Sequence, residues 1–384
     1  MKKKIIRITT VPLSLSGLLQ GQLAFMSSYF DILAVSSKGK NNELDVVSES
    51  ESIPTFPIEM TRKITPFKDL YALWELYKLF KKEQPFIVHS HTPKAGTLSM
   101  LAAKLAGVPH RLHTIAGLPL VEATGFKRRL LNTVEKVTYK CATKIYPNAF
   151  GLVDIILENN FTHKSKLKVI ANGSSNGIDT SYFNPEIFDD IETHKFRSSF
   201  GITDDDFVFV YTGRLVSDKG INELLLAYDK MDLEHEKIKL LLVGTYENEL
   251  DPLLPKSMDI INNNKNIIST GWVDDVRPYF AISNALIFPS YREGFPNVVL
   301  QAGAMQLPSI VTDINGCNEI IDNKKHGLII PVKDDEAIYN GMKYILTHRE
   351  EAAQMGINSR INIVSKFERR RVWEAILEEY QSLK

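Results

Sequence analysis

The chain has 384 residues, more than one hydrophobic core usually serves, so two domains are expected. Apolar residues make up 44% and charged residues 24%, which excludes a disordered or fibrous chain, and the two cysteines, Cys141 and Cys317, are too few for a disulfide framework and suit a reducing cytoplasm. The net charge of zero conceals an asymmetry: residues 1–172 carry 24 Lys and Arg against 13 Asp and Glu, a surplus of eleven positive charges that the remainder cancels. The N-terminal half is therefore expected to face something anionic, a membrane surface or a phosphate-bearing substrate.

The opening MKKKIIRITTVPLSLSGLL has the lysines of a signal peptide, but Arg7 interrupts its apolar run, and Ser and Gly break the stretch after it. It reads as a strand and a turn. No segment has enough consecutive apolar residues to span a bilayer. Short apolar runs then alternate with helix-length amphipathic stretches. In the first half they are IIRIT, FDILAVS, FIVHSH, RLHTI, KIYPN and KVIAN; in the second, FVFVYTG, KLLLVG, NIISTG, ALIFPS, SIVTD and GLIIPV. This pattern predicts an α/β protein of two Rossmann-like, doubly wound parallel-sheet domains. The Gly, Ser and Asn cluster ANGSSNGID reads as the linker, which gives domains of 1–172 and 173–366. A C-terminal helix over about 367–384 is expected to pack back on the first domain. Ligands of open α/β sheets bind beyond the carboxyl ends of the strands, so the site is expected in a cleft between the domains.

The chemistry-bearing residues fall at such strand ends. In VYTGRLVSDKGINELLLAY, Gly213 ends a strand, and Arg214 and Lys219 flank a turn whose Gly220 precedes an amphipathic helix. Two cations above a helix start suit a diphosphate, Arg as a planar fork and Lys as a point charge. In YREGFPNVVLQAGAMQLPSIVTD, Glu293 and Gly294 form a loop, and Pro296 suits the first turn of a helix from Asn297 to about Met305. Eight positions past Glu293 stands the neutral Gln301. A plainer reading makes Glu293 a cap and Gln301 a surface residue. In DINGCNEII, the turn from Gly316 to Glu319 offers backbone N–H groups to a phosphate.

GRLVSDKG, SYREGFPNVVLQAGAMQLP, TDINGCNEII and HGLIIPV resemble the retaining nucleotide-sugar glycosyltransferases of the GT-B fold, family GT4, over nearly the whole chain. The stretches HSHTPKAGTLSMLAAKLAGVPHRLHTIAGLPLVEATGFKRRLL and ANGSSNGID resemble the subgroup that builds capsule, exopolysaccharide and O-antigen repeats on a lipid carrier. The resemblance implies a peripheral enzyme on the cytoplasmic face of the membrane. It would take a UDP-sugar as donor and a lipid-linked glycan on undecaprenyl diphosphate as acceptor, with no nucleic acid and no cofactor.

It also implies roles. Arg214 and Lys219 would bind the donor diphosphate, and Glu293 would accept from hydroxyls of the transferred sugar. Position 301 would hold the ribose. Gly213, Gly294, Phe295, Pro296, Asn297, Gly316 and Cys317 would complete the donor site. Gly17, Gly21, Gln22, Thr92, Lys94, Gly96 and His113 would line the acceptor side. The chain departs from the family twice: Gln301 replaces a second Glu, and Ala116 stands where many members place a His. A Gln carbonyl still accepts from a ribose hydroxyl, without charge assistance. His113, three residues earlier, faces either the reaction centre or the core.

Metal ligation is not expected. His89 and His91 alternate along a strand and are expected to point to opposite faces, and Asp204 to Asp206 read as solvated turn residues. Two other readings remain open: a UDP-N-acetylglucosamine 2-epimerase, which lacks the Glu-Gly-Phe-Pro loop, and a non-catalytic nucleotide-sugar-binding or scaffold protein. Finally, GFKRRLLNTVEKVTYKCA sets Phe126, Leu130, Val134, Val137 and Cys141 at helical spacing. This stripe is expected to pack inward while Lys127, Arg128, Arg129, Lys136 and Lys140 meet anionic lipid.

Overall fold

A computed structural model describes every residue except Met1, Arg62, Lys63, Pro119, Val121, Glu122, Asn248 and Leu250. Its strands are β1 (Lys4–Ile8), β2 (Asp31–Ser36), β3 (Thr55–Pro57), β4 (Ile87–Ser90), β5 (His110–Ile115), β6 (Lys144–Pro147), β7 (Phe207–Thr212), β8 (Ile238–Val243), β9 (Ile267–Gly271), β10 (Ala285–Phe288), β11 (Ser309–Thr312) and β12 (Gly327–Ile330). The central strands β7, β8 and β10 are mostly buried Val, Ile, Leu and Phe, as strands covered by helices on both faces must be.

Among the described residues these strands form two six-stranded parallel sheets, ordered β3-β2-β1-β4-β5-β6 and β12-β11-β10-β7-β8-β9. Read from β9, the second order repeats the first. Each sheet therefore has its topological switch point between two central strands, β1 and β4 in one and β7 and β10 in the other.

The chain divides into two units, Met1–Asn176 with Arg370–Lys384, and Gly177–Arg369. The first crossing lies inside the Gly, Ser and Asn cluster, where Ala171, Gly173, Ser174 and Gly177 all adopt positive φ. The last helix, Arg369–Ser382, sets Val372, Ile376 and Tyr380 one turn apart. That stripe joins the first unit's core with Ile5, Leu23, Ile32 and Leu112.

Two expectations fail here. KVIAN is not a strand: Leu167 makes a single bridge to Ile145, and the backbone turns away at Ala171 with φ 50°. The sixth strand of that sheet is instead Thr55–Pro57, a short edge strand that pairs on one side only and needs no apolar run.

The second failure concerns the helix Gly125–Cys141. Of its apolar stripe only Cys141 is fully buried; Phe126 is 82% exposed, and Leu130 and Val137 also face solvent. The inward face is Glu135, Thr138 and Tyr139. It packs on the helix Pro93–Ala106, where Thr138 and Thr97 share a hydrogen bond of 2.8 Å. The face packed there carries polar side chains, Glu135, Thr138 and Tyr139, while Phe126, Leu130 and Val137 turn outward. Arg128 points back into the protein, donating to the Leu120 carbonyl (2.6 Å), Asn132 (3.0 Å) and Asn159 (2.9 Å). Among the described residues no helix is long and apolar enough to cross a membrane.

Candidate active site

In the second unit three loops leave the carboxyl ends of the neighbouring strands β7, β10 and β11. The first runs from Gly213, whose N–H donates to the Val243 carbonyl at 2.9 Å, to the helix Ile221–Asp232. The second precedes the helix Asn297–Ala304, and the third precedes the helix Cys317–Ile320.

The first two loops are tied together. The Tyr291 N–H donates to the Asp218 carbonyl (3.0 Å), Arg292 pairs with the Asp218 carboxylate (2.8 Å), and the Tyr291 hydroxyl donates to Glu223 (2.6 Å). The third loop lies directly on the second. A Cβ at Gly316, where φ is +81°, would meet the Gly294 carbonyl oxygen at 2.5 Å, so only glycine allows that approach. Asn315 donates to the carbonyls of Glu293 and Gly294.

This lacing sets Lys219 against Glu293. The two form an ion pair, and Ser290 Oγ donates to the same carboxylate oxygen at 2.9 Å. Their side chains are 16% and 17% exposed, sheltered yet reachable from solvent. Arg214 is more open and pairs with Glu247 at 2.6 Å. Burial works to lower the Arg214 guanidinium, but the hydrogen bond and charge of Glu247 outweigh it and hold the group above its ordinary value. Two cations and a carboxylate thus stand at adjacent strand ends, each satisfied by a partner that an anionic, hydroxyl-bearing ligand could replace.

The other donor-side positions are structural to different degrees. Phe295 is buried with its ring 5.4 Å from that of Phe367. Pro296 is the N-cap of its helix rather than its first residue, and Asn297 and Gln301 are half-buried on that helix. Cys317 is wholly buried, and burial, with Glu293 nearby, pushes its thiol well up, so it presents a neutral thiol.

The first unit arranges its candidates differently. Gln22 is not open to a ligand: it is wholly buried, its carbonyl accepts from Arg7 at 2.6 Å, and its amide donates to the Ser175 carbonyl and Asn176. His113 is buried against the core, bonded to Ser90 Oγ at 2.9 Å, and burial pushes its imidazole down to about 4. Its ring fills the place a side chain would take at Gly96, where a Cβ would lie 2.3 Å from His113 Cε1. Gly96 and His113 therefore pack a helix onto a strand.

Lys94 is paired with Asp69 at 2.7 Å. Thr92 stands at the N-cap of its helix without a side-chain cap; its hydroxyl instead accepts from the Thr10 N–H at 2.9 Å and shares a hydrogen bond with the Thr10 hydroxyl at 2.7 Å. Gly21 has φ 74° and donates to Glu51 at 2.5 Å, and Gly17 is exposed with open space around it. Ala116 follows β5 directly; Pro119, Val121 and Glu122 beyond it lie outside the described residues.

The expected divergence of His89 and His91 is wrong. Residues two apart in an extended chain share a face, and these rings pack with centroids 4.2 Å apart. His89 bonds Thr114 at 2.8 Å and the Tyr380 hydroxyl, while His91 accepts from Arg7 Nε at 3.1 Å. Among the described residues no three His, Cys, Asp or Glu side chains gather as a metal cluster. Sequence reasoning missed Asp218, Tyr291 and Glu247, which brace or occupy the second unit's site, and the buried Arg7. A charged residue inside the IIRIT run was the one signal for Arg7.

Residues 192–361 match the family described as Glycosyl transferases group 1, and residues 18–149 match that described as Glycosyl transferase 4-like. The chain is 31% identical over 382 residues to the capsular polysaccharide biosynthesis glycosyltransferase CapM of Staphylococcus aureus, covering 99% of this chain and 97% of the relative. It is also 31% identical over 380 residues to the UDP-Gal:alpha-D-GlcNAc-diphosphoundecaprenol alpha-1,3-galactosyltransferase of Escherichia coli, covering 95% and 93%. Among solved structures, Anabaena Alr3699/HepE in complex with UDP and glucose matches with a TM-score of 0.81 at 15% identity, over 99% of this chain and 100% of that one. Paired doubly wound sheets, matched along nearly the full length, make this chain a member of the group 1, GT4-like glycosyltransferases with the GT-B fold.

Proposed function

We propose that this glycosyltransferase moves a hexose or N-acetylhexosamine from a UDP-sugar to a saccharide on undecaprenyl diphosphate, with retention and without a metal, in surface polysaccharide assembly on the cytoplasmic face of the membrane. The observation that carries the reading is the sheltered Lys219–Glu293 pair with Arg214 earlier on the loop that bears Lys219. The Escherichia coli relative, named for a UDP-Gal donor and a diphosphoundecaprenol acceptor, supports the same choice of substrates.

In this reading the donor diphosphate takes Arg214 from Glu247 and shares Lys219 with Glu293. As the bond between the anomeric carbon and the diphosphate breaks, negative charge grows on the leaving oxygen, where the two cations stabilise it most. The acceptor hydroxyl attacks the same face, and its proton passes to the leaving phosphate. No protein base is required, so Ala116 is compatible with turnover. Glu293 accepts hydrogen bonds from hydroxyls of the transferred sugar. Gln301 accepts from the ribose, about 1 kcal/mol weaker than a carboxylate would. The donor site completes itself with Gly213, Gly294, Phe295, Pro296, Asn297, Gly316 and Cys317. Of the acceptor-side set, Gly17, Gly21, Thr92 and Lys94 remain at the surface of the first unit.

A thermal-stability screen of nucleotide sugars tests the donor. A bound donor at a hundred times its dissociation constant stabilises by about 2.7 kcal/mol, and the best UDP-sugar is expected to transfer to a polyprenyl-diphosphate saccharide with retained configuration. UDP-sugar binding without transfer to any such acceptor would leave the non-catalytic reading.

A further inference from the structure

The helix Pro66–Glu83 has two apolar faces. Ala72, Leu76, Leu79 and Phe80 are buried inward. Phe67, Leu70, Tyr71 and Trp74 form a second stripe at helical spacing, exposed by 91%, 65%, 65% and 55%. Leu105 on the adjoining helix Pro93–Ala106 extends it, and an open groove of about 560 Å³ runs between them. The helix Gly125–Cys141 packs on the other neighbour of that layer and turns Phe126 outward too.

Charge singles out the occupant. The acids of the first helix are each paired with a lysine of the same chain: Asp69 with Lys94, Glu75 with Lys78, Glu83 with Lys4. Lys68, Lys81 and Lys104, all exposed, have no acidic partner among the described residues. A second copy of the chain would add a second set of these lysines to the interface with no free acid of this helix to meet them, a repulsive arrangement. A surface of Trp, Tyr, Phe and Leu rimmed by lysine instead has the composition of an interfacial helix on an anionic bilayer.

We infer that this three-helix layer is the membrane-docking face, and that the Phe67–Trp74 stripe enters the headgroup region of an anionic bilayer while Lys68, Lys81, Lys104, Lys127 and Arg129 hold its surface. The inference rests on the membrane-bound acceptor proposed above. It moves the anchor from electrostatics alone to buried apolar area, so binding should survive partly at high salt.

Sedimentation of the full chain with phosphatidylglycerol-containing and pure phosphatidylcholine vesicles tests it. The Phe67→Ser, Tyr71→Ser, Trp74→Ser triple variant is expected to bind anionic vesicles at least about tenfold more weakly, because each ring removed forfeits apolar burial. Lys127→Ser with Arg129→Ser should lower binding at low salt only. In the wild type, brominated lipid should quench tryptophan fluorescence, and Trp74→Phe should abolish that quenching without a gross change of surface.

A triple variant that melts as the wild type does and still binds vesicles fully overturns the inference. So does wild-type fluorescence untouched by brominated lipid, or lipid-free dimerisation that the triple variant abolishes. Stabilisation by UDP, read on the same variants, reports the donor site separately. Its absence in the wild type would sink the UDP-donor reading while leaving the vesicle result to stand or fall alone.

Discussion

At the switch point of the first unit, Arg7, His89 and His91 are fully buried and bonded mainly to one another, to Gln22, Thr114 and Tyr380. At the switch point of the second, Lys219, Glu293 and Arg214 stay partly open to solvent and pair across loops. Both units follow one strand order, so the difference comes from side chains rather than from topology. Buried groups bonded to one another fix a shape, because removing any one strands the rest, and here Arg7 Nη1 and His91 Nδ1 already have no hydrogen-bond partner among the described residues. Half-open ion pairs can exchange a partner for a ligand, because water screens the cost of opening them. The first unit therefore reads as a rigid seat, and the second as the place where charge is handled.

Acid should break the comparison most strongly. Burial pushes His113 down to about 4 from its ordinary value of 6.5, and holds His89 and His91 well below that value. The unfolded chain takes up protons on these imidazoles below about pH 6.5, whereas the folded chain resists. Stability is therefore full above pH 6.5 and falls as the pH drops towards 4. His113 alone contributes roughly 3 kcal/mol of that loss. Denaturant melts at pH 7 and pH 4.5 should show the first unit weakening ahead of the second; a uniform loss in both would contradict the contrast.

The second unit should fail by chemistry rather than by unfolding. Arg214→Ala and Lys219→Ala are each expected to lower turnover on the order of a hundredfold or more, with little change in melting temperature. Wild-type turnover in both variants, measured with the productive donor, would remove the diphosphate assignment.

The smallest effect sharpens the picture at position 301. Gln301→Glu should tighten UDP binding several-fold, roughly 1 kcal/mol, if that half-buried side chain meets the ribose. Calorimetry that finds the two proteins equal would return Gln301 to the surface reading.

Much of this was legible beforehand. The second unit's central strands appear as apolar runs, because a parallel strand buried on both faces has no other way to be written; the edge strand β9 is buried only at Ile267. Lys219 and Glu293 could be picked out at strand ends, but the bond between them could not, since it depends on Asp218, Tyr291 and Arg292 lacing two loops 70-odd positions apart. Thr55–Pro57 escaped notice because an edge strand needs no apolar pattern.

Local pattern alone was enough to specify two doubly wound sheets and a family, because strand periodicity, turn residues and ordered motifs are properties of short stretches of chain. Which helical face turns inward was settled only by the assembled fold. The helix Gly125–Cys141 shows its phenylalanine to solvent and buries Thr138 and Tyr139, while Pro66–Glu83 carries apolar stripes on both sides. Hydrophobic spacing marks a face as apolar; what it meets depends on how closely the neighbouring helix packs, and that is a property of the assembled layer.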